Sequence, residues 1–237
     1  MENFNFGWAA VALTIIFHLL PIVSIINYFM KNITFENIPI SKIILNYINC
    51  LVWHFYGYLL FNDIIKYSNI IAGIISLILI IIYFLIEIKK YFIDTILNSI
   101  ILIISTLCSF EWFGHIILDK TIVGRICLTT SIIVILNQFI DILNAIKRKN
   151  YLSIRVNYSI ISFPTYFCWI IFGFIIRDNY VISSNSMGII ASIVQIGSYI
   201  YIKKEYPIIN EENVETSTID IDDDSKKETN EQPVKIS

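Results

Sequence analysis

The feature that most constrains the fold is a series of long apolar runs separated by short polar connections. A helix that spans a bilayer needs about 20 mainly apolar residues. The chain is 56% hydrophobic and 15% charged, with a mean hydropathy of +0.70, so a water-soluble fold would have to expose an apolar surface. Lipid cannot satisfy an open backbone, so each run is predicted to be helical. The predicted spans are Phe6–Met30, Ser41–Phe61, Ile70–Ile88, Phe92–His115, Thr121–Ala145, Ile154–Ile176 and Val181–Ile202.

A duplicated frame relates the second and third spans to the sixth and seventh. Residues 53–69 read WHFYGYLLFNDIIKYSN and residues 169–185 read WIIFGFIIRDNYVISSN. A Trp, a Gly four residues later and a closing Ser-Asn pair therefore recur 116 residues apart. The same offset, without a gap, places Lys31 on Lys147. A repeat at a fixed period indicates a duplicated unit.

The number of helices in each unit determines how the units can be arranged. Each unit holds three spans, an odd number, so direct fusion would invert the second unit. The fourth span has no partner at the 116-residue offset, and one extra crossing restores the direction. We therefore predict an all-α membrane protein of seven transmembrane helices, in which two parallel three-helix bundles are joined by a linker helix (3+1+3). The predicted divisions are residues 1–90, the first repeat, 91–120, the linker helix, 121–203, the second repeat, and 204–237, a disordered acidic cytosolic tail.

Lysine and arginine are distributed unevenly over the connections between spans. Cytosolic connections of membrane proteins carry an excess of these residues, so the asymmetry predicts an outside N-terminus and a cytosolic C-terminus. The plasma membrane is favoured over the Golgi or another internal membrane. Ten of the 19 acidic residues but three of the 17 basic ones fall in residues 205–237, a polar stretch that cannot bury enough apolar surface to order itself. The predicted inner set is Lys31, Lys42, Lys89, Lys90, Lys147, Arg148, Lys149, Arg155, Lys203 and Lys204, and the outer set is Lys66, Lys120, Arg125 and Arg177.

Several chemical functions lack their usual residue patterns in this sequence. No GxxxxGK[ST] loop for nucleotide phosphates is present. The cysteines stand singly within apolar segments, and the histidines are too scattered for a metal-ligand spacing. No basic patch indicates nucleic acid. We therefore expect no enzyme activity, no cofactor, no metal and no nucleic-acid partner. The cysteines are Cys50, Cys108, Cys127 and Cys168, and the histidines are His18, His54 and His115.

The duplicated motifs resemble those of the eukaryotic SWEET sugar transporters, within the wider PQ-loop-like superfamily. The resemblance rests on WHFYG…D…SN in the second and third spans and on WIIFG…RDNYV…SNSMG in the sixth and seventh, and it covers about 200 residues without the tail. Parallel repeats are the known architecture of that family. In the family, two residues from each half surround the sugar at mid-membrane. The matching positions here are Trp53, Asn69, Trp169 and Asn185.

The resemblance also implies residues that gate the pathway. The family's outer gate uses an aromatic and an acidic residue, which match Tyr56 and Asp178. Prolines in the first, second, fifth and sixth spans act in the family as hinges near the inner gate. Pro21 matches the hinge of the first span, but Asn137 stands at the corresponding position of the fifth and Pro164 lies later than the family pattern requires.

Paired tryptophans and asparagines suit a neutral polyol. A sugar has an apolar C–H face, which a Trp ring can cover, and a rim of hydroxyls; the indole N–H adds one donor. An Asn amide can donate or accept. The pocket positions include no acidic residue, which favours facilitated diffusion over ion coupling. Together with the resemblance, the sequence predicts facilitative, uniport transport of a small sugar, a hexose, by alternating access. The expected partners are the sugar and the lipid bilayer, and the sequence leaves open whether the chain forms a homo-oligomer.

Two other functions stay open at this point. Asp141 lies within the fifth span, where an acidic residue can carry protons. The chain would then be a proton-coupled, PQ-loop-type exporter of an amino acid from an organelle. However, Lys147 and Arg148 follow closely, and Asp141 could reach the interface beside them. A seven-helix receptor with an outside N-terminus also fits the topology, although a duplicated sequence and short inner loops favour it less.

Overall fold

The computed structural model describes residues 2–31, 40–87, 119–151, 154 and 156–207. Within these ranges the helices are joined by short turns. Two predicted features lie outside the described ranges, namely the linker helix Phe92–His115 and the tail beyond residue 207. The described helices are α1 (Glu2–Lys31), α2 (Ile40–Leu59), α3 (Asp63–Glu87), α4 (Lys120–Arg148), α5 (Val156–Ile176) and α6 (Asn179–Glu205).

The apolar runs predicted within the described ranges are all helices. Five of these helices, all except α2, are long and apolar enough to cross a membrane by length and composition. The largest boundary error concerns α3, which begins at Asp63 rather than at Ile70. The side chain of Asn62 accepts a hydrogen bond of 3.1 Å from the backbone N–H of Ile65, so a cap starts this helix before its apolar run begins.

The turns that follow α2 and α5 have the same geometry. Phe61 and Arg177, which lie 116 residues apart, both adopt positive φ angles, of 52° and 56°. After each of them, the next backbone N–H bonds back to a glycine carbonyl at 2.9 Å. Helices α2 and α5 end at Leu59 and Ile176, close to the predicted ends of their spans at Phe61 and Ile176. The two backbone bonds run from Asn62 N to Gly57 O and from Asp178 N to Gly173 O.

The same glycines allow neighbouring helices to approach closely. A Cβ atom on Gly57 would lie 2.6 Å from the backbone nitrogen of Lys66, on α3. A Cβ atom on Gly173 would lie 2.9 Å from Cγ1 of Ile182, on α6. Lys66 and Ile182 are again 116 residues apart. The α2–α3 pair and the α5–α6 pair therefore pack in the same way. In each pair a glycine has no side chain that would hold the helices apart.

The halves meet through two equivalent helix contacts. Helix α1 packs on α3 in the first half and α4 on α6 in the second, while α1 meets α5 and α2 meets α4 across the halves. We call the end of the molecule that carries the two turns the Asp178 end and the opposite end the Asp141 end. One core cluster spans both halves near the Asp178 end and includes Trp53, Ile65 and Val181.

Candidate functional site

A cavity of about 230 Å³ lies between the halves and is lined by residues from all six described helices. This volume is just below the range of about 300 to 1,000 Å³ that is usual for ligand pockets, so the cavity suits a small ligand. The four residues predicted to surround a substrate all line it, as does the predicted hinge residue Pro21. The four are Trp53, Asn69, Trp169 and Asn185.

The two tryptophans form equivalent bridges between the halves. The indole N–H of Trp53 donates to Ser131 Oγ on α4 at 3.0 Å, and that of Trp169 donates to Thr14 Oγ1 on α1 at 2.9 Å. Both rings are more than nine-tenths buried. The sequence suggested that these N–H groups could donate to a sugar, but the protein already uses them. The ring surface is what remains for a ligand.

The two asparagines are held in one orientation by their own helices. The amide nitrogen of Asn69 donates to the carbonyl of Ile65 at 2.8 Å, and that of Asn185 donates to the carbonyl of Val181 at 2.7 Å. Each amide nitrogen also lies within 3.4 Å of the hydroxyl of the preceding serine. An amide oxygen could not replace the nitrogen there, because it would face a carbonyl oxygen. Each Asn therefore has its Oδ1, an acceptor, left for a ligand.

A hydrogen bond joins the two predicted outer-gate residues at the Asp178 end. Tyr56 donates its hydroxyl to Asp178 Oδ2 at 2.6 Å. The other oxygen of Asp178 accepts from the backbone N–H groups of Tyr180 and Val181, at 2.9 and 3.0 Å, and so caps α6. The Tyr56 ring also meets the Trp53 ring edge to face. This bond connects the halves beyond the cavity, on its Asp178 side.

An ion pair connects the halves at the opposite end of the cavity. Lys42 on α2 pairs with Asp141 on α4, and both residues line the cavity. Their side chains are 22% and 41% exposed, so water partly screens the pair. The sequence pointed instead to the nearby basic residues Lys147 and Arg148. Nothing local in the sequence indicates Lys42, which comes 99 residues before Asp141.

A polar network that the repeat did not reveal lies in the cavity wall on the Asp141 side of Trp53. Asn49 Oδ1 accepts hydrogen bonds from Thr130 and Ser131, at 2.9 and 3.1 Å, and thereby joins α2 to α4. On α1, His18 contacts the Thr14 carbonyl through Nδ1 and the Cys50 thiol through Nε2, at 2.8 and 3.5 Å. Thr14 and Thr130 match at the 116-residue offset, but Asn49, Ser131 and His18 differ in type from their counterparts, so the repeat gave no signal for the network they form.

The described part of the chain can be examined for metal-ligand groups and for disulfides. There, no group of three or more His, Cys, Asp or Glu residues could hold a metal ion. The cysteines within the described ranges, Cys50, Cys127 and Cys168, are free thiols. Cys108 lies outside these ranges.

Two repeated helical halves around a shared cavity are the architecture of membrane transporters built from parallel repeats. A sequence profile of the family described as "Sugar efflux transporter for intercellular exchange" matches residues 4–91 and 121–206. These segments cover most of the chain and fall on its two predicted repeats. The chain belongs to this family, the SWEET family of sugar transporters.

Individual relatives agree with the family profile. The sugar transporter SWEET1 of Xenopus tropicalis is 24% identical over 162 residues, which are 68% of this chain and 76% of the frog protein. Its counterpart from Xenopus laevis is 23% identical over 162 residues, with 68% and 75% of the two chains covered. The solved structure of a eukaryotic SWEET transporter aligns with a TM-score of 0.68 at 17% identity, over 86% of this chain and all of that one. This structural likeness shows a shared fold.

Proposed function

We propose that this protein is a uniporter that moves a small sugar, a hexose, across a membrane by alternating access. The observation that carries the proposal is that one cavity holds a Trp and an Asn from each half at matched positions. The ring faces of Trp53 and Trp169 suit the apolar face of a sugar. The Oδ1 atoms of Asn69 and Asn185 can accept hydrogen bonds from its hydroxyls. The frog relatives are named as sugar transporters, which supports the same substrate class.

The geometry of the cavity suits one state of an alternating-access cycle. The Tyr56–Asp178 bond joins the halves at one end. At the other end the Lys42–Asp141 pair joins α2 to α4 but leaves both side chains partly exposed at the cavity, so we take this end as the open one. With the N-terminus outside and the C-terminus cytosolic, as the lysine and arginine distribution favours, this state faces the cytosol. Rocking at the α1–α5 and α2–α4 contacts would then open the Asp178 end and close the Asp141 end. We place the protein in the plasma membrane.

The distribution of charge supports facilitated diffusion over ion coupling. The residues closest to the matched pairs, namely Thr14, Asn49 and Ser131, are neutral and hydrogen-bonded. The charged residues that line the cavity, Lys42 and Asp141, are paired with each other. In this proposal residues 1–90 and 121–203 are the moving units, and residues 91–120 join them.

The experiment that tests the proposal is uptake of labelled glucose by cells that lack their own hexose carriers, with and without a proton uncoupler. The proposal expects saturable uptake that the uncoupler leaves intact. A surface stain must show that the protein reaches the cell surface. No uptake by surface-exposed protein would refute the assignment of glucose, and uptake abolished by the uncoupler would refute uniport.

A second function is favoured by one observation, namely that Asp141 lines the cavity. A proton-coupled exporter of an amino acid would use this carboxylate as its proton carrier. Transport would then depend on a pH gradient, and Asp141→Asn would abolish that dependence. Under the uniport proposal, Asp141→Asn leaves transport without any pH-gradient dependence, as in the wild type, so the variant separates the two functions.

A further inference from the structure

Gln138 is a cavity-lining side chain that lies outside the matched pairs and outside the hydrogen-bond network described above. Gln138 on α4 lines the cavity between Ser131 and Asp141. Its Oε1 atom is buried and has no hydrogen-bond partner among the described residues. A buried acceptor without a partner costs stability, because it has lost water and gained nothing in return. A side chain in this condition on the wall of a binding cavity indicates that a ligand supplies the missing donor.

Gln138 lies closer to the Asp141 end than the tryptophans do. It comes two helical turns after Ser131, the residue bonded to Trp53, which is about 10 Å along the axis at about 1.5 Å per residue. Asn46, on α2, also lines the cavity. Both amides stand between the Asn49–Ser131 bond and the ion pair, so they belong to the same level of the cavity wall.

The other half has no counterpart to this acceptor. At the 116-residue offset Gln138 corresponds to Ile22, which is apolar. Asn46 corresponds to Ser162, whose hydroxyl is already bonded to Ser192 at 2.9 Å. The matched pairs therefore give the cavity two equivalent sides, and Gln138 makes them unequal. Ile22 packs against an apolar cluster that includes Ile25 and does not line the cavity, so the matched position of the first half offers a hydroxyl no acceptor.

We propose that Gln138 is a specificity-determining residue: its Oε1 accepts a hydrogen bond from a sugar hydroxyl that faces the Asp141 end. Asn46, on α2, lines the cavity at the same level. The inference rests on the proposed function and goes beyond it, because it assigns one hydroxyl of the sugar to one half of the protein. It also accounts for an unpartnered amide that folding alone does not explain.

Gln138→Met tests the inference through two measurements, the KM for glucose uptake and the thermal unfolding temperature. A purely structural role predicts that substrate binding and stability are both weakened. Met is similar in length but has no amide. We expect the KM for glucose uptake to rise about tenfold, while the thermal unfolding temperature stays the same or rises because a buried unpartnered acceptor is removed. Ile22→Met, at the matched position, is the control and should leave KM unchanged. A Gln that serves folding would lower the unfolding temperature, and that result would overturn the inference.

Competition by monodeoxy-glucoses identifies the hydroxyl. In the wild type, removal of the hydroxyl that Gln138 binds should weaken competition about tenfold, and in Gln138→Met the same removal should have no effect. Wild-type uptake with an unchanged KM in Gln138→Met, or with the same analogue pattern in both proteins, overturns this inference and leaves the proposed function standing. Failure of the wild type to take up glucose overturns both.

Discussion

The two ends of the molecule preserve its duplication to different degrees. Towards the Asp178 end three features recur in both halves: the positive-φ turns at Phe61 and Arg177, the close glycine contacts of α2 and α5, and the asparagines held by their own helices. The bond between Tyr56 and Asp178 occurs once, because these residues match Phe172 and Asn62. At the Asp141 end the correspondence fails. Lys42 matches Tyr158, and Asp141 matches Ile25. The ion pair therefore has no equivalent in the other contact between the halves.

The two contacts that join the halves, α1–α5 and α2–α4, are alike near the tryptophans and differ towards the Asp141 end. At the level of the tryptophans both contacts use an indole N–H and a hydroxyl, Trp169 with Thr14 and Trp53 with Ser131. Further towards the Asp141 end, the α1–α5 contact pairs the rings of Phe17 and Tyr158 edge to face, whereas the α2–α4 contact holds the ion pair. Under the proposed function, the features shared by both halves would enclose the ligand, and the divergent end would set specificity.

The largest expected effect concerns the two tryptophans, which occupy matched positions in the two halves. Trp53→Ala and Trp169→Ala should each reduce glucose uptake about 100-fold, equivalent to about 3 kcal/mol, because each removes a ring face from the cavity and a bridge between the halves. Uptake per molecule at the cell surface is the measurement. Phe167→Ala, on the outward surface of α5 and 52% exposed, is the control. Retained uptake in either Trp variant would break the equivalence of the halves.

The next effect concerns the closely packed glycines. Gly57→Ala should destabilise the protein by about 1–3 kcal/mol, because the new methyl group meets backbone on α3. Gly173→Ala should cost less, since its nearest neighbour is the Ile182 side chain, which can rotate away. Thermal unfolding in detergent measures both. Gly197→Ala, where a Cβ meets no atom within 4 Å, should stabilise the protein by about 0.5–1 kcal/mol. An equal loss at all three positions would contradict this order.

Tyr56→Phe sharpens the comparison at the Asp178 end. It removes the hydroxyl that donates to Asp178 but keeps the ring and the cap on α6. Hydrogen bonds to charged groups contribute about 1.5–3 kcal/mol, so the population open at this end should rise about tenfold or more. Labelling of Val181→Cys by a membrane-impermeant maleimide, with the other cysteines replaced by serine, reports the opening. Tyr58→Phe, on the 61% exposed tyrosine, is the control. Unchanged labelling would show that the bond is not a gate.

The smallest effect is expected at the divergent end. Lys42→Met or Asp141→Asn should lower stability by about 0.2–1 kcal/mol, because the pair is partly exposed. The exchanged double variant, Lys42→Asp with Asp141→Lys, should recover most of the loss in thermal unfolding. Lys204→Met, at an exposed lysine near the same end, serves as the control. A double variant that is no better than the singles would show that the two charges do not stabilise each other.

The sequence predicted the parts of the fold that depend on hydropathy and on the repeat. The apolar runs identified the helices, and the resemblance to the SWEET family, carried by the two matched motifs, named Trp53, Asn69, Trp169 and Asn185, which line one cavity. Hydropathy could not locate the start of α3, because the residues from Asp63 to Ile70 become helical through a cap and through packing rather than through an apolar run.

The hydrogen-bond and ion-pair partners of side chains could not be predicted from the sequence for a different reason. Whether an indole N–H is available to a ligand depends on which residue of another helix lies opposite it, and neither Thr14 nor Ser131 carries a local sign of that role. The same holds for Lys42 with Asp141 and for the unpartnered Gln138. These features arise where helices distant in sequence meet, so they need the packed structure.

The most direct test of the account is glucose binding to the purified protein in lipid nanodiscs, measured for the wild type, Asn69→Ala, Asn185→Ala and the double variant. Because the two asparagines have matched positions and matched orientations, the account predicts that each single variant weakens binding by a similar factor, about tenfold, and that the double variant abolishes it. Loss of binding in one single variant with full affinity in the other would contradict the claim that both halves enclose a single sugar.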